Sequence, residues 1–336
     1  MEKPSLDTAK AGAIRFNTDL SQLEIYDGNQ WTGILATSTV QQTGGTRGFR
    51  MAGNTPSKTD RIDRFNVDVP GEATDVGNLT QSLGATGQGF ASRTRAFRGG
   101  GYNHSLGGYL NNIDFWTITS DGNAIDFGDM LAAKQAVGAL SNSTRGVISS
   151  GSDASNAINV IQFVTMSSTG NALDFGDLTQ ARKSRCVASP TRGLMMGGNL
   201  NPSTIYNTMD FITTATTGDS ADFGDLISTQ TNNTACSNAV RGISAGGDSP
   251  STNRIEFVTI ATLGNSLDFG DLTRTDAASA GAAASPTRAT VFGSGSPVSS
   301  VIEYFQLMTL GNAKDFGDLT QSVKEVAGCS NGHGGL

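Results

Sequence analysis

Gly170-Asn171-Ala172-Leu173-Asp174-Phe175-Gly176-Asp177-Leu178-Thr179 is the stretch that decides how this chain is read. It returns as Gly122-Asn123-Ala124-Ile125-Asp126-Phe127-Gly128-Asp129-Met130, and again around Phe223, Phe269 and Phe316. The five central phenylalanines follow one another at 48, 48, 46 and 47 residues. A degenerate copy, Asp75-Val76-Gly77-Asn78-Leu79, lies 51 residues before Phe127 and makes six. A fixed period of about 50 residues signals a repeat architecture.

Two further ladders keep step with the motif. Arg47, Arg95, Arg145, Arg192, Arg241 and Arg288 recur at 47 to 50 residues, and each is followed, five and six positions on, by two small residues such as Gly197-Gly198. Phe115, Phe163, Phe211, Phe257 and Tyr304 each precede the motif phenylalanine by 12 residues; Phe65 is the matching aromatic of the first copy.

Between these landmarks every repeat reads as four strands. Strand A is a run of small residues, as in Cys186-Val187-Ala188-Ser189; strand B starts at the ladder arginine; strand C carries the aromatic; strand D holds Asp-Phe-Gly-Asp-Leu. No copy sustains apolar residues at helical spacing. Four short strands per unit, repeated six times, predict a β-propeller. The small strand A residues belong at the axis, where the innermost strands converge. The eleven aromatics of strands C and D belong between blades, where each buried Phe contributes roughly 1.5–3 kcal/mol. Blade one begins at strand B and lacks a strand A. Lys324 to Asn331 has the strand A composition and follows the last strand D, so the C-terminal strand is expected to close the ring and remove an exposed sheet edge. His333 falls where the next ladder arginine would stand.

The fold class expected is therefore all-β: a six-bladed β-propeller over residues 45–336, preceded by a segment over 1–44 that ends in a linker. Within that segment Ala13 to Phe16, Gln22 to Tyr26 and Trp31 to Ile34 alternate apolar and polar residues around turns, which reads as a short antiparallel meander. It is too small to bury a core alone. Phe16, Ile25, Tyr26 and Trp31 are its candidate attachment residues.

The 336 residues include 43 glycines, only 16% are charged, and the net charge is −7 with no long basic run. That composition is turn-rich β and argues against a nucleic-acid partner. No apolar run reaches the roughly 18 residues of a membrane span. The start carries no hydrophobic signal core, so synthesis in a cytoplasm without export by that route is expected. Cys186, Cys236 and Cys329 lie in small apolar segments and read as buried free thiols.

The repeat resembles the kelch family on its small inner strand (Cys186 to Ser189), its Gly-Gly strand end (Met196-Gly197-Gly198), Phe211, Phe223 and Arg182. The resemblance spans about residues 45 to 336 and departs from kelch where the fourth-strand Trp is Phe and the loop before it is longer. The wording Gly-Asn-Ala-x-Asp-Phe-Gly-Asp-Leu-Thr is similar to repeats in virion structural proteins and tail fibres of marine tailed phages, notably cyanophages. The segment from Ala11 to Trp31 is similar to short segments of phage tail fibres. These resemblances imply a kelch-like propeller on a phage particle, assembled in the host cytoplasm. It would dock on other virion proteins through the N-terminal segment, as a homotrimer if it assembles as fibres do.

Catalytic readings find little to stand on. Asp-Phe-Gly recurs without a Gly-rich phosphate loop, which excludes a kinase. Ser220-Ala221-Asp222-Phe223-Gly224 is similar to a sialidase Asp box but lacks its terminal aromatic. Carboxylates such as Asp174 and Asp177 supply too few oxygens for Ca²⁺; they are expected to form turns and to pair with ladder arginines. His104 and His333 are too few for a transition-metal site. No metal, cofactor or enzymatic activity is expected.

Comparing the copies with one another separates two kinds of connection. A–B and C–D turns are nearly constant, whereas B–C and D–A connections differ in every copy, and strand direction places both variable sets at one end. Binding residues concentrate on such loops. Tyr102, His104, Tyr109 and Tyr206 on B–C connections suit stacking on sugar or protein, and Arg93 and Arg185 would add charge-assisted bonds to an acidic glycan. The leading expectation is a tail-fibre or tail-tip adhesin for a host-surface glycan or protein. A head-decoration or tail-adaptor protein is the alternative, and a polysaccharide-acting enzyme comes third.

Overall fold

The computed structural model describes residues 10–17, 22–33, 45–55, 57–84, 87–103, 105–153, 156–275, 277–295 and 297–336, and the main chain alone at 22. Two compact units divide at residues 41 and 42. No helix occurs among the described residues.

The first unit is a three-stranded antiparallel sheet of β1 (Ile14–Asn17), β2 (Gln22–Tyr26) and β3 (Trp31–Gly33). Register puts Ile14 opposite Ile25 and Phe16 opposite Leu23, so these four share one face. Ile14, Phe16 and Leu23 are exposed there. The other face is internally paired. Arg15 bonds Glu24 at 2.7 Å and lies 4.1 Å over the Trp31 ring, and Trp31 packs 5.4 Å from Tyr26.

The second unit repeats one four-stranded plan. Sheet 1 holds β4 (Arg47–Met51), β5 (Asn54–Thr55), β6 (Ser57–Asn66) and β7 (Thr74–Leu83); sheet 2 holds β8 (Gly89–Ala91), β9 (Arg95–Gly99), β12 (Asn112–Thr117) and β13 (Ile125–Asp129), with a small hairpin of β10 (Tyr102–Asn103) and β11 (Gly108–Tyr109) between them. Sheet 3 is β14 (Gly138–Ser141), β15 (Arg145–Ser149), β16 (Val160–Thr165) and β17 (Leu173–Asp177); sheet 4 is β18 (Lys183–Ala188), β19 (Arg192–Asn201), β20 (Thr204–Thr213) and β21 (Ala221–Asp225). Sheet 5 is β22 (Thr234–Ser237), β23 (Arg241–Ala245), β24 (Arg254–Thr259) and β25 (Leu267–Asp271); sheet 6 is β26 (Gly281–Ala284), β27 (Arg288–Phe292), β28 (Ser299–Gln306) and β29 (Lys314–Val323). The last strand, β30 (Ala327–Ser330), pairs antiparallel with β4 and supplies sheet 1 with its inner strand. In every sheet strand B starts at the ladder arginine.

The apolar core lies between sheets rather than within them. Sheets 2 and 3, for example, share a cluster containing Phe97, Phe127 and Ile148, and sheets 6 and 1 share one containing Phe65, Phe292 and Phe316. Along the inner strands β8 lies against β14, β14 against β18, β18 against β22, β22 against β26, β26 against β30 and β30 against β8.

The repeated motif is a staple between neighbouring sheets. In β21 register slips at Phe223, which makes Phe223 the extra residue of a β-bulge. Its carbonyl accepts from Gly264 N–H of the next sheet at 2.9 Å, and the Asp225 carbonyl accepts from Ser266 N–H at 2.9 Å. Asn265 Oδ1 accepts from Asp225 N–H at 3.0 Å. The carbonyl pair recurs at every junction, and the last joins Gly71 and Ala73 of sheet 1 to Phe316 and Asp318 of sheet 6, at 3.0 and 2.9 Å. Gly224 has φ +139°, and a Cβ there would sit 2.6 Å from the Gly264 carbonyl oxygen. Glycine is required at this position because the neighbouring backbone passes directly above it.

The ladder arginines correct an expectation. Among the described residues none pairs with a strand D carboxylate. Each instead donates to a backbone carbonyl where strand C of the next sheet ends: Arg47 to Ile118, Arg95 to Met166 (3.0 Å), Arg145 to Thr214 (3.2 Å), Arg192 to Ile260 (2.9 Å), Arg241 to Leu307 (2.9 Å) and Arg288 to Asp68 (2.8 Å). Five of them also lie 4.4 to 5.1 Å above the strand C aromatic of their own sheet, a cation–π contact. The strand D carboxylates are too exposed to compete with that ready-made aromatic and carbonyl site. Asp126 and Asp174, for instance, are exposed.

Candidate binding face

The B–C and D–A connections meet at one end of the sheets and hydrogen-bond to one another. Tyr102 and Gly84 exchange backbone bonds of 3.1 and 3.2 Å, Gln135 and Ser152 two of 2.9 Å, and Thr231 and Asp248 bonds of 3.2 and 2.7 Å. In sheet 2 Tyr102 faces Tyr109 across the small hairpin, their rings 5.2 Å apart and 68° inclined. Both rings are half-buried, and Leu106 near the tip is 69% exposed. Asn103 braces the hairpin: its Oδ1 accepts from Leu106 N–H, and its amide donates to Gln81 Oε1. His104 lies outside the described residues.

The other expected residues separate. Tyr206 is half-buried in β20, paired with Gly198, because the connection from Asn199 to Tyr206 continues as a bulged hairpin in place of an open loop. Its turn is held by Asn201 Oδ1, which accepts from Ser203 and Thr204 N–H. Arg93 is misplaced by the expectation. It occupies an A–B turn, between β8 and β9, at the opposite end, and its carbonyl accepts from Asn331 Nδ2 at 3.3 Å. Arg185 lies in β18 on the axial side of the variable end, where it lines a depression of about 200 Å³ with Gly87, Ala136, Lys183, Asn232, Ser279 and Glu325. In the first unit, Phe16 and half-buried Ile25 share the apolar face while Tyr26 and Trp31 lie on the internally paired one.

The space between the inner strands is closed off at both ends. Below the depression the Gln88 side chain crosses the inner strands: its Oε1 accepts from Cys186 N–H, and its Nε2 donates to the carbonyls of Cys186 (3.0 Å) and Ala235 (3.2 Å). At the other end His333 Nε2 lies 2.8 Å from Ala91 O and 3.1 Å from Ser141 Oγ, and Gly334 N–H donates to Ser237 O. Burial holds the His333 imidazole neutral, its pKa down at about 4. Between these plugs the inner strands leave about 40 Å³, room for a water or two and no ligand.

The three cysteines are buried and free. Burial pushes the thiols of Cys186 and Cys236 up to about 12 and raises Cys329 as well, so none is a thiolate nucleophile. No group of three or more potential metal ligands gathers among the described residues.

Reasoning from the sequence missed one series of functional contacts. Asp63, Asp114, Gln162, Asp210, Glu256 and Glu303 are almost completely buried in strand C. Each accepts from the end of the preceding strand D: Thr320 to Asp63, Thr80 to Asp114, Leu131 to Gln162, Thr179 to Asp210, Ile227 to Glu256 and Thr273 to Glu303, all at 2.7 to 2.8 Å. The signal was present, since an acid or amide immediately precedes each ladder aromatic from Phe115 to Tyr304. No protein-family model matches the chain, and no curated protein sequence is significantly similar to it.

Proposed function

We propose that residues 45–336 form a closed, six-bladed, kelch-like propeller and that the chain is a tail-fibre or tail-tip adhesin of a tailed phage, binding a host-surface glycan or protein. Three series of inter-sheet bonds support the ring. The staples, the arginine latches and the buried acids each run through successive sheets and join sheet 6 to sheet 1. The contacts of the inner strands likewise return to β8. The phage assignment rests on the likeness of the repeat wording and of the N-terminal segment to virion proteins.

One observation carries the adhesive reading. Among the described residues, the connections that differ between copies gather at one end, where they are braced by hydrogen bonds to each other, while the axis beneath them is plugged. Such a scaffold presents a varied surface on a rigid base and offers no passage for substrate. The apolar face of the first unit, with Ile14, Phe16 and Leu23 exposed, serves as the attachment surface on another virion protein or on further copies of the chain.

The test is adsorption of labelled protein to host cells, with Tyr102, His104 and Tyr109 replaced together by Ala in a variant whose fold is verified by circular dichroism. Loss of adsorption is expected. Unchanged adsorption by the folded variant refutes this face, and a wild-type chain that never adsorbs favours the decoration or adaptor role.

A further inference from the structure

Arg185 differs from every other buried arginine. Arg50 lies 3.6 Å from Asp63, Arg182 lies 3.0 Å from Asp210, and Arg98 is opposite Asp114 in register. Arg185 is only 8% exposed and faces no carboxylate among the described residues. Its Nε donates to Asn233 O at 3.0 Å, and buried Nη1 has no acceptor among the described residues. A buried guanidinium left without an anion is strongly unfavourable, and here the unmatched group borders the axial depression.

The shape of that depression follows from the chain around it. Ala136, Asn232, Ser279 and Glu325, from four of the D–A connections, turn through positive φ (53° to 57°) before entering an inner strand. Sheet 4 departs from this pattern: β18 starts early, at Lys183, and so carries two bases on alternate residues into the same depression. Lys183 is half-buried, and its side chain makes no hydrogen bond or ion pair with the described residues. The one acid on the wall, Glu325, is paired with Lys58 at 3.1 Å. In a chain of net charge −7, this is a local excess of positive charge set in a concave, partly dehydrated place. The volume of about 200 Å³ is below the roughly 300–1,000 Å³ of most small-molecule sites, which fits one charged group and the ring bearing it.

We propose that Lys183 and Arg185 bind a single anionic substituent, a carboxylate or sulfate carried on a sugar, in the axial depression of the variable face. The adhesive reading supplies only the source of that anion, an acidic host glycan; the site stands on its own geometry. Arginine offers a planar pair of donors to the anion and lysine a point charge at the rim. Gln88, already saturated by backbone groups, closes the floor.

Isothermal titration of the full chain with glucuronate, glucose 6-sulfate and glucose tests this. At least one of the two anions should bind tenfold or more tighter than glucose, and the preferred one identifies carboxylate or sulfate as the natural group. Lys183→Gln should weaken that binding about tenfold, and Lys183→Gln with Arg185→Gln should abolish the preference. Lys314→Gln, an exposed charge on β29, should leave it unchanged. Equal binding of all three sugars overturns the proposal. So does full anion affinity in Lys183→Gln, a half-exposed change that leaves the packing of β18 intact and decides the matter even if the Arg185 variant does not fold. Adsorption of the wild-type chain to cells is read separately. A chain that adsorbs without preferring an anion overturns this site alone; a chain that prefers an anion but does not adsorb supports the site and overturns the adhesive reading.

Discussion

Replacing Gly224 by Ala isolates the energy of the staple. At φ +139° an alanine strains the backbone, which costs about 1–3 kcal/mol. The added Cβ would also stand 2.6 Å from Gly264 O, so the Gly264–Ser266 segment must move away. That motion breaks the bonds to Phe223 O and Asp225 O and the one from Asp225 N–H to Asn265 Oδ1. Three bonds at about 0.5–1.5 kcal/mol each add roughly 1.5–4.5 kcal/mol. Gly264→Ala is the internal control, because φ there is +149° but no atom lies within 4 Å of the new Cβ. It should cost only the backbone strain. Gly317→Ala repeats the experiment where sheet 6 meets sheet 1, with Gly71 O 2.5 Å from the Cβ. Urea denaturation of the three variants, compared by midpoint at constant slope, reads the differences. Gly224→Ala should be destabilised by at least about 1.5 kcal/mol more than Gly264→Ala, and Gly317→Ala, where Glu72 replaces the asparagine acceptor and two bonds are at stake, by at least about 1 kcal/mol more. Equal effects at Gly224 and Gly264 would refute the staple. A Gly317 variant as mild as the control would refute closure between sheets 6 and 1.

Truncation before Lys324 removes β30 and the axial plug, bares the edge of β4, and should cause aggregation or lower the melting temperature by roughly 10 °C or more; a monomer that melts unchanged would contradict it. His333 is held near pKa 4 against an ordinary 6.5, so the unfolded chain takes up the proton first. Stability is therefore complete above about pH 6.5 and falls towards pH 4, by up to about 2–3 kcal/mol with some reduction for the partly exposed ring edge. His333→Gln should flatten that part of the pH–stability curve, and an unaltered curve would show that the imidazole is not held neutral. Native protein at pH 8 should leave all three thiols unreacted with a disulfide reagent for hours and release three only in guanidinium, since burial suppresses the thiolates; rapid reaction of any one shows an open inner strand.

The four-strand plan, strand order and inter-sheet core were legible because they rest on side chains that recur at fixed spacing, whereas the extra strands β5, β10 and β11 lie in the variable connections. Phe127 and its counterparts fill the gap between sheets, and small residues mark β14, β22 and β26. What escaped the sequence rests on backbone acceptors. A carbonyl at Ile260 or Leu307 leaves no trace in residue type, so an arginine that seeks it looks like half of an ion pair. Arg93 is a different case. It stands two residues before Arg95, where strand B starts, so the repeat scheme already placed it in an A–B turn away from the variable end; its charge drew it into the candidate set regardless. Gln88 is a single residue outside every ladder, and its four backbone contacts come from three sheets. The buried acids were legible in principle and went unread because acids before an aromatic look like the solvent side of an alternating strand.

The A–B turns contain a second period, of two repeats, that bears on the number of sheets. Strand A ends in Ala-Ser in sheets 2, 4 and 6 (Ala91-Ser92, Ala188-Ser189, Ala284-Ser285) and in Ser-Asn in sheets 3, 5 and 1 (Ser141-Asn142, Ser237-Asn238, Ser330-Asn331). Each serine of a Ser-Asn sheet reaches back to the preceding sheet: Ser141 donates to Ala91 O, Ser237 to Ala188 O and Ser330 to Ala284 O, and each accepts the N–H of the same alanine. Each asparagine reaches forward, Asn142 to Thr214, Asn238 to Pro286 and Asn331 to Arg93. A Ser-Asn sheet therefore clamps both of its neighbours, and an Ala-Ser sheet is clamped from both sides. In a closed ring that division of labour works only for an even number of sheets. An odd ring would set two Ala-Ser sheets side by side without the paired serine and asparagine clamp between them, or two Ser-Asn sheets with rival donors. The sixth pair, Ser330-Asn331, comes from the extreme C-terminal strand, and its two contacts reach sheet 6 and sheet 2. The tail thus fills the one place in the alternation that the rest of the chain leaves open. Changing Ser330-Asn331 to Ala-Ser should loosen both junctions at once, whereas the same exchange in the opposite sense at Ala284-Ser285 should crowd them.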